Sequence, residues 1–151
     1  MLLKEGAKAP AFSLTDQDGR KIALKDFAGK KVVLYFYPKD MTPGCTREAQ
    51  GFQQSLAAIK RKGAVVIGVS KDSQASHKKF CEKHGLEFPL LADVDGVVVE
   101  KYGVWQEKNM YGKKSMGIVR TTYVIDEAGK VAKVFARVEV DGHLEQVLEV
   151  L

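Results

Sequence analysis

Residues 32–69 read VVLYFYPKDMTPGCTREAQGFQQSLAAIKRKGAVVIGV, and the order of elements within this stretch decides the fold. Val32–Tyr37 is a nearly unbroken run of β-branched and aromatic residues, the composition of a strand buried on both faces. Pro38 stops it. Thr42 and Pro43 then offer a helix cap and a proline at the first helical position, where a missing N–H costs nothing. Cys45, Ala49, Phe52, Leu56 and Ile59 recur at spacings of three and four, which predicts one helix running to Lys62-Gly63 with these residues on its inner face. Ala64–Val69 reads as a second buried strand. Strand, helix and strand in this order predict parallel pairing through a right-handed crossover.

Working outward, Asp18-Gly19 between Ala11–Leu14 and Lys21–Leu24 predicts a small N-terminal hairpin. Ser73–His84 is a second helix with Phe80 facing inward, Cys81 in its last turns and Gly85 as its cap. Phe88–Leu91 is a short extended piece and Asp95–Tyr102 a short helix. Gly103–Ile118 is rich in Gly, Lys and Met without a clean period, which predicts mostly loop. Thr121–Ile125 and Lys130–Phe135 are strands joined by a tight turn at residues 126–129, and Asp141–Leu151 is a helix with Leu144, Val147, Leu148 and Leu151 on its apolar face. The expected architecture is α/β: a central mixed β-sheet flanked by helices, with an N-terminal β-hairpin, forming one domain over residues 1–151.

A net charge of +5, with lysines scattered among acids, does not make a nucleic-acid surface. The densest basic stretch, Lys101 to Arg120, also carries Glu107 and is accompanied by no zinc or stacking motif, so no nucleic-acid partner is expected. No segment reaches the roughly 20 apolar residues of a membrane span, and no signal-peptide core is visible, so a cytoplasmic chain without a membrane partner is expected. His77 and His84 on the Cys81 helix, with His143 far away in sequence, form no ligand pattern; helix-surface or capping roles suffice and no metal is expected.

Cys45 is the residue with chemical promise. A cysteine in the first turn of a helix sits among unpaired N–H groups at the positive end of the helix dipole, and both favour thiolate over thiol. Gly44 removes a side chain beside it and Thr42 supplies a hydroxyl. The alternative reading is an apolar cysteine ending a core stripe.

The segment YFYPKDMTPGCTRE (residues 35–48) resembles the active-site signature of the peroxiredoxins, with Pro38, Thr42 four residues on and Cys45 three further. DFAGKKVVLYFYPKD (26–40), TPGCTREA (42–49), DGVVVEKYGVW (95–105) and GIVRTTYVID (117–126) resemble, more narrowly, the bacterioferritin-comigratory or Q-type group. The resemblance implies a thioredoxin-like fold and a thiol-dependent peroxidase that reduces hydrogen peroxide and organic hydroperoxides without a cofactor. It implies that Cys45 is the peroxidatic cysteine, that Thr42 contacts the peroxide, that Pro38 shields the site and that Arg120 sits beside the thiolate. Phe36, Tyr37, Trp105 and Met110 are candidates for an apolar collar.

Many members of this group carry a resolving cysteine five residues after the first, where this chain has Gln50. Some relatives place it on the next helix instead, the position of Cys81, and Lys78, Lys79 and Lys83 are expected to favour its thiolate. A Cys45–Cys81 disulfide requires Cα atoms within about 7 Å, so both helices are expected to unwind locally before it forms. Thioredoxin, or alternatively glutaredoxin, is the implied reductant, and a monomer is the implied state. A single-cysteine peroxidase resolved by an external thiol stays open, as does a non-enzymatic redox-sensing or binding protein on the same scaffold. Thr42 in place of a cysteine argues against a CxxC disulfide reductase.

Overall fold

Alternation along Lys31–Phe36 (β3) divides the interior in two. Val33 and Tyr35, followed by Tyr37, face one side of the sheet, while Val32, Leu34 and Phe36 face the other, and all are buried. The structure is a computed structural model that describes the backbone of residues 1–151 and every side chain except that of Met110. Ser13–Thr15 (β1) and Lys21–Ala23 (β2) pair antiparallel as the expected N-terminal hairpin. Ala64–Ser70 (β4) runs parallel to β3, and Leu90–Ala92 (β5) runs parallel to β4. Thr121–Ile125 (β8) runs antiparallel to β3 and to Val131–Phe135 (β9), giving a five-stranded mixed sheet ordered β5-β4-β3-β8-β9.

Helices Pro43–Gln54 (α1), Leu56–Arg61 (α2), Gln74–His84 (α3) and His143–Val150 (α5) cover the face that carries Tyr35 and Tyr37. The predicted apolar stripe of the first helix is intact, with Cys45, Ala49, Phe52, Leu56 and Ile59 all buried, but one continuous helix is not formed. The chain turns at Ser55 (φ −94°, ψ 2°) and restarts as α2. The other face is covered by Val97–Lys101 (α4), the N-terminal segment with Ala9 and Phe12, and Val104 and Ile118.

The largest departure from the sequence reading lies at residues 103–118. Instead of a loop, Trp105–Met110 (β6) and Lys113–Ile118 (β7) form an antiparallel hairpin of two six-residue strands. Its turn has Tyr111 and Gly112 both at positive φ (53° and 78°), the backbone that suits a two-residue hairpin connection. Residues 113–116 are exposed, so most of β7 carries no buried face that would impress an apolar period on the sequence. Among the described residues no helix is long and apolar enough to cross a membrane.

Candidate active site

Three side chains from two elements meet at the start of α1. Cys45 lies in the first turn and is 1% exposed; Glu48, one turn on, is fully buried. Arg120 stands between β7 and β8 and reaches both: its Nη2 donates to Cys45 Sγ at 3.3 Å and its Nη1 to Glu48 Oε1 at 2.6 Å. The backbone fixes Arg120 from behind, since its carbonyl accepts the Val138 N–H at 2.9 Å. Gly44 leaves the approach open, because a Cβ at that position would stand 3.2 Å from Arg120 Nη2. The first intrahelical bond runs from the Thr46 N–H to the Thr42 carbonyl, so the N–H groups of Gly44 and Cys45 have no acceptor within the helix. A guanidinium thus meets the sulfur at the N-terminus of α1, where the helix presents unpaired N–H groups and the positive end of its dipole.

Glu48 is the residue that the sequence reading missed. A signal for it existed: an acid three residues after Cys45 interrupts an otherwise apolar stripe. Burial pushes its carboxyl up to about 7, against the opposing pull of the Arg120 charge and hydrogen bond. Its ordinary value is 4.5, so ionisation is harder in the folded chain than in the unfolded one. The folded state should therefore lose stability as the pH climbs from about 4.5 through about 7, by up to about 3 kcal/mol. Chemical unfolding of the reduced protein at several pH values should show this decline, and Glu48→Gln should flatten it; identical profiles for the two proteins would contradict the assignment.

Thr42 occupies the N-cap position but does not cap through its side chain. Its hydroxyl donates instead to the Lys39 carbonyl at 2.9 Å, which leaves the oxygen lone pairs free to accept. Pro38 is half-buried and follows β3 directly. Of the collar candidates, Tyr37 shares the apolar cluster of Cys45, whereas Phe36 points through the sheet to the opposite cluster and takes no part. Trp105 is half-buried beneath Lys71, whose Nζ lies 4.1 Å from the ring centroid. The Met110 side chain lies outside the described residues. Lys108 lies across Gly117; burial and then the Arg120 charge lower its ammonium, with Cys45 opposing them.

Cys81 lies on α3 in the same apolar cluster as Cys45, is 7% exposed, and is not bonded to it. The expected lysine activation does not hold in this conformation. Burial, followed by the charges of Asp40, Asp18 and Asp16, pushes the Cys81 thiol up to about 12, and Lys78 only partly offsets them. Lys78 is itself paired with Asp18 at 2.7 Å.

Two histidines read as surface groups are interior. His143 is buried with Nε2 2.8 Å from Thr122 Oγ1, and burial lowers it. His77 is buried with Nδ1 2.7 Å from Asp40 Oδ2. Asp40, Asp72 and His77 lie close enough to hold a cation, but their facing atoms already have hydrogen-bond partners in one another, Ser70, Ser76 and Tyr37. The Tyr35 hydroxyl and Glu48 Oε2 are buried without a hydrogen-bond partner among the described residues.

A family model described as the AhpC/TSA family matches residues 6–134. The chain is 49% identical over 148 residues to a putative peroxiredoxin bcp of Coxiella burnetii, covering 98% of each chain. It is 46% identical over 151 residues to peroxiredoxin Bcp of Bacillus subtilis, covering 100% of this chain and 96% of that one. Among solved structures, the bacterioferritin comigratory protein of Xanthomonas campestris, described in terms of its alkyl peroxide reduction, superposes with a TM-score of 0.90 at 39% identity. That match covers 97% of this chain and 96% of that one. A cysteine-to-serine mutant of PrxQ from Xylella fastidiosa superposes with a TM-score of 0.93 at 35% identity, covering 99% of this chain and 95% of that one.

Proposed function

This chain belongs to the AhpC/TSA family, among its peroxiredoxins, and is a thiol-dependent peroxidase, and we propose that Cys45 is the thiol that attacks the hydroperoxide. The observation that supports this most is the 3.3 Å contact from Arg120 Nη2 to Cys45 Sγ at a helix N-terminus. The thiolate pair forms a bond to the terminal peroxide oxygen as the O–O bond breaks. The O–O electron pair leaves on the alkoxide or hydroxide, which takes a proton, and Cys45 becomes a sulfenic acid. Thr42, whose proton goes to Lys39, accepts the hydroperoxide O–H, while Arg120 and the free amides stabilise the charge developing on the two oxygens. Pro38 limits water at the sulfur.

Cys81 then resolves the sulfenic acid. Its thiolate attacks the Cys45 sulfur, the S–S bond forms, the S–O bond breaks, and the departing hydroxide is protonated to water. The buried thiol of the closed state, held up to about 12, must first reach solvent, which requires local unwinding of α1 and α3. A dithiol protein of the thioredoxin type, or a glutaredoxin, reduces the disulfide by exchange. The chain does this as a monomeric single domain in the cytoplasm, without a metal or organic cofactor.

Intact-mass measurement after one equivalent of hydrogen peroxide tests the assignment. Wild type should lose two hydrogens as a monomer, and Cys81→Ser should gain one oxygen that maps to Cys45. A wild type that also stops at the oxygen adduct would make Cys81 structural and require an external thiol.

A further inference from the structure

Asp40 and His77 form a buried contact that links the segments carrying the two cysteines. Asp40 lies in the loop between β3 and α1, five residues before Cys45, and His77 lies on α3, four residues before Cys81. Both are buried, at 4% and 0% exposure. His77 Nε2 is 3.0 Å from the Leu91 carbonyl, which can only accept, and Nδ1 is 2.7 Å from Asp40 Oδ2. Both ring nitrogens therefore meet oxygen partners on separate segments.

The carboxylate is held from every other side. Asp40 Oδ1 accepts from the Tyr37 hydroxyl at 2.6 Å and Oδ2 from the Ser76 hydroxyl at 2.8 Å. The Asp40 N–H donates to Asp72 Oδ2 at 2.9 Å, which also takes the Ser70 hydroxyl at 2.6 Å. Burial by itself would raise the Asp40 carboxyl; the His77 hydrogen bond and charge, with Tyr37 and Ser76, outweigh it and hold it low. Ser73 completes the anchor by accepting the Ser76 N–H at 3.1 Å.

Beyond this anchor the polar ties between the same segments lie at the surface. Three exposed hydrogen bonds join α1 to the far end of α3: Gln50 Nε2 to His84 Nδ1 at 3.3 Å, Gln53 Nε2 to Glu87 Oε1 at 2.7 Å, and the Glu87 N–H to Gln53 Oε1 at 2.8 Å. The α3 helix ends on Gly85 in the left-handed region, with the N–H groups of Gly85 and Leu86 both sharing the Cys81 carbonyl. The first half of α3 is thus tied into the sheet by buried hydrogen bonds, whereas its second half, with Cys81, is held by the apolar burial of Phe80, Cys81 and Leu86 and by hydrogen bonds that lie at the surface.

We propose that the Asp40–His77 pair is a positioning pivot for the resolution step: it stays closed while residues 41–45 and 78–86 unwind around it, and so keeps the two sulfurs on short tethers. This rests on Cys81 being the resolving thiol. With the pivot closed, only nine residues of chain separate the sulfurs, five from Asp40 to Cys45 and four from His77 to Cys81; without it and the Ser76 and Asp72 bonds beside it, the next tie is the Tyr37 N–H to the Val69 carbonyl at 3.1 Å, which leaves eight residues to Cys45 and twelve to Cys81. Loop closure weakens as the three-halves power of length, so losing the pivot should slow disulfide formation by about threefold. A sulfenic acid that waits longer is more exposed to a second peroxide, which transfers an oxygen to it and leaves a sulfinic acid and water or an alcohol.

Quench-flow mass spectrometry of wild type and His77→Gln after one equivalent of hydrogen peroxide separates oxygen gain from the loss of two hydrogens. The first phase should be unchanged and the second should slow by about threefold in the variant, a split that general destabilisation would not produce. Asp40→Asn should slow the second phase likewise, and the double variant no more than either. Hydrogen exchange of oxidised wild type gives an arm that needs no variant: residues 70–77 should stay protected while 78–86 lose protection. An unchanged or faster second phase, or loss of protection across 70–77, overturns the pivot alone. A wild type that never loses two hydrogens overturns the resolving role of Cys81 and the pivot with it.

Discussion

Cys45→Ser is expected to abolish hydroperoxide turnover, lowering kcat/KM by at least about 10³-fold while the fold survives. The argument is chemical. A serine hydroxyl has no accessible anion at neutral pH, and its oxygen cannot accept a peroxide oxygen as a thiolate sulfur does. The substitution is nearly isosteric at a site 1% exposed, and Arg120 and Glu48 keep each other as partners at 2.6 Å, so no buried charge is left alone. Helical content and unfolding midpoint should therefore stay close to wild type. Peroxide consumption with a dithiol reductant is the measurement. Retained turnover in Cys45→Ser would move the reactive thiol to Cys81 and end the reading of α1 as the catalytic helix.

How much of this was legible in the sequence depended on what each segment buries. Val32–Tyr37 and Ala64–Val69 were readable because both of their faces are covered, which forces nearly every residue to be apolar. The β6–β7 hairpin was not, because its far half faces solvent and its order comes from backbone pairing and the Tyr111-Gly112 turn. The signature residues Cys45, Thr42 and Arg120 stood out through their resemblance to a known pattern, yet the geometry that supports them did not. Glu48 becomes meaningful only once Arg120, 72 residues later, arrives beside it. His77 looked like a surface residue because α3 also carries Lys78, Lys79, Glu82, Lys83 and His84, and nothing in that run marks which polar group turns inward. Its partner Asp40 lies 37 residues away. The lysines near Cys81 misled for the opposite reason: sequence proximity registers their charge but not the burial of the thiol or the Asp18 carboxylate that occupies Lys78.

Arg120→Met should slow the reaction of Cys45 with peroxide by about 10²–10³-fold, the usual cost of removing one fixed donor from developing charge. Two effects would be mixed in that single variant. Loss of the guanidinium removes the donor beside the sulfur and the stabilisation of the breaking O–O bond, but it also strands Glu48, which is fully buried and whose Oε2 already has no hydrogen-bond partner among the described residues. Stranding one member of a buried pair costs about 3–5 kcal/mol when the other stays charged. Burial raises the Glu48 carboxyl to about 7 even against the Arg120 charge, and without that charge it rises further, so the buried acid takes up a proton and the variant should lose stability progressively as the pH climbs above the ordinary carboxylate range. The double variant Glu48→Gln with Arg120→Met removes the stranded acid, so it should regain stability at about pH 8, well above the ordinary carboxylate range, without regaining rate. Arg120→Lys should recover little of the rate, since one ammonium cannot meet Sγ and Oε1 in the forked geometry that Nη1 and Nη2 provide. Single-turnover kinetics and chemical unfolding on wild type and these three variants measure the two effects separately. A double variant that recovers rate together with stability would reduce Arg120 to a structural partner of Glu48 and leave the helix terminus alone to hold the thiolate.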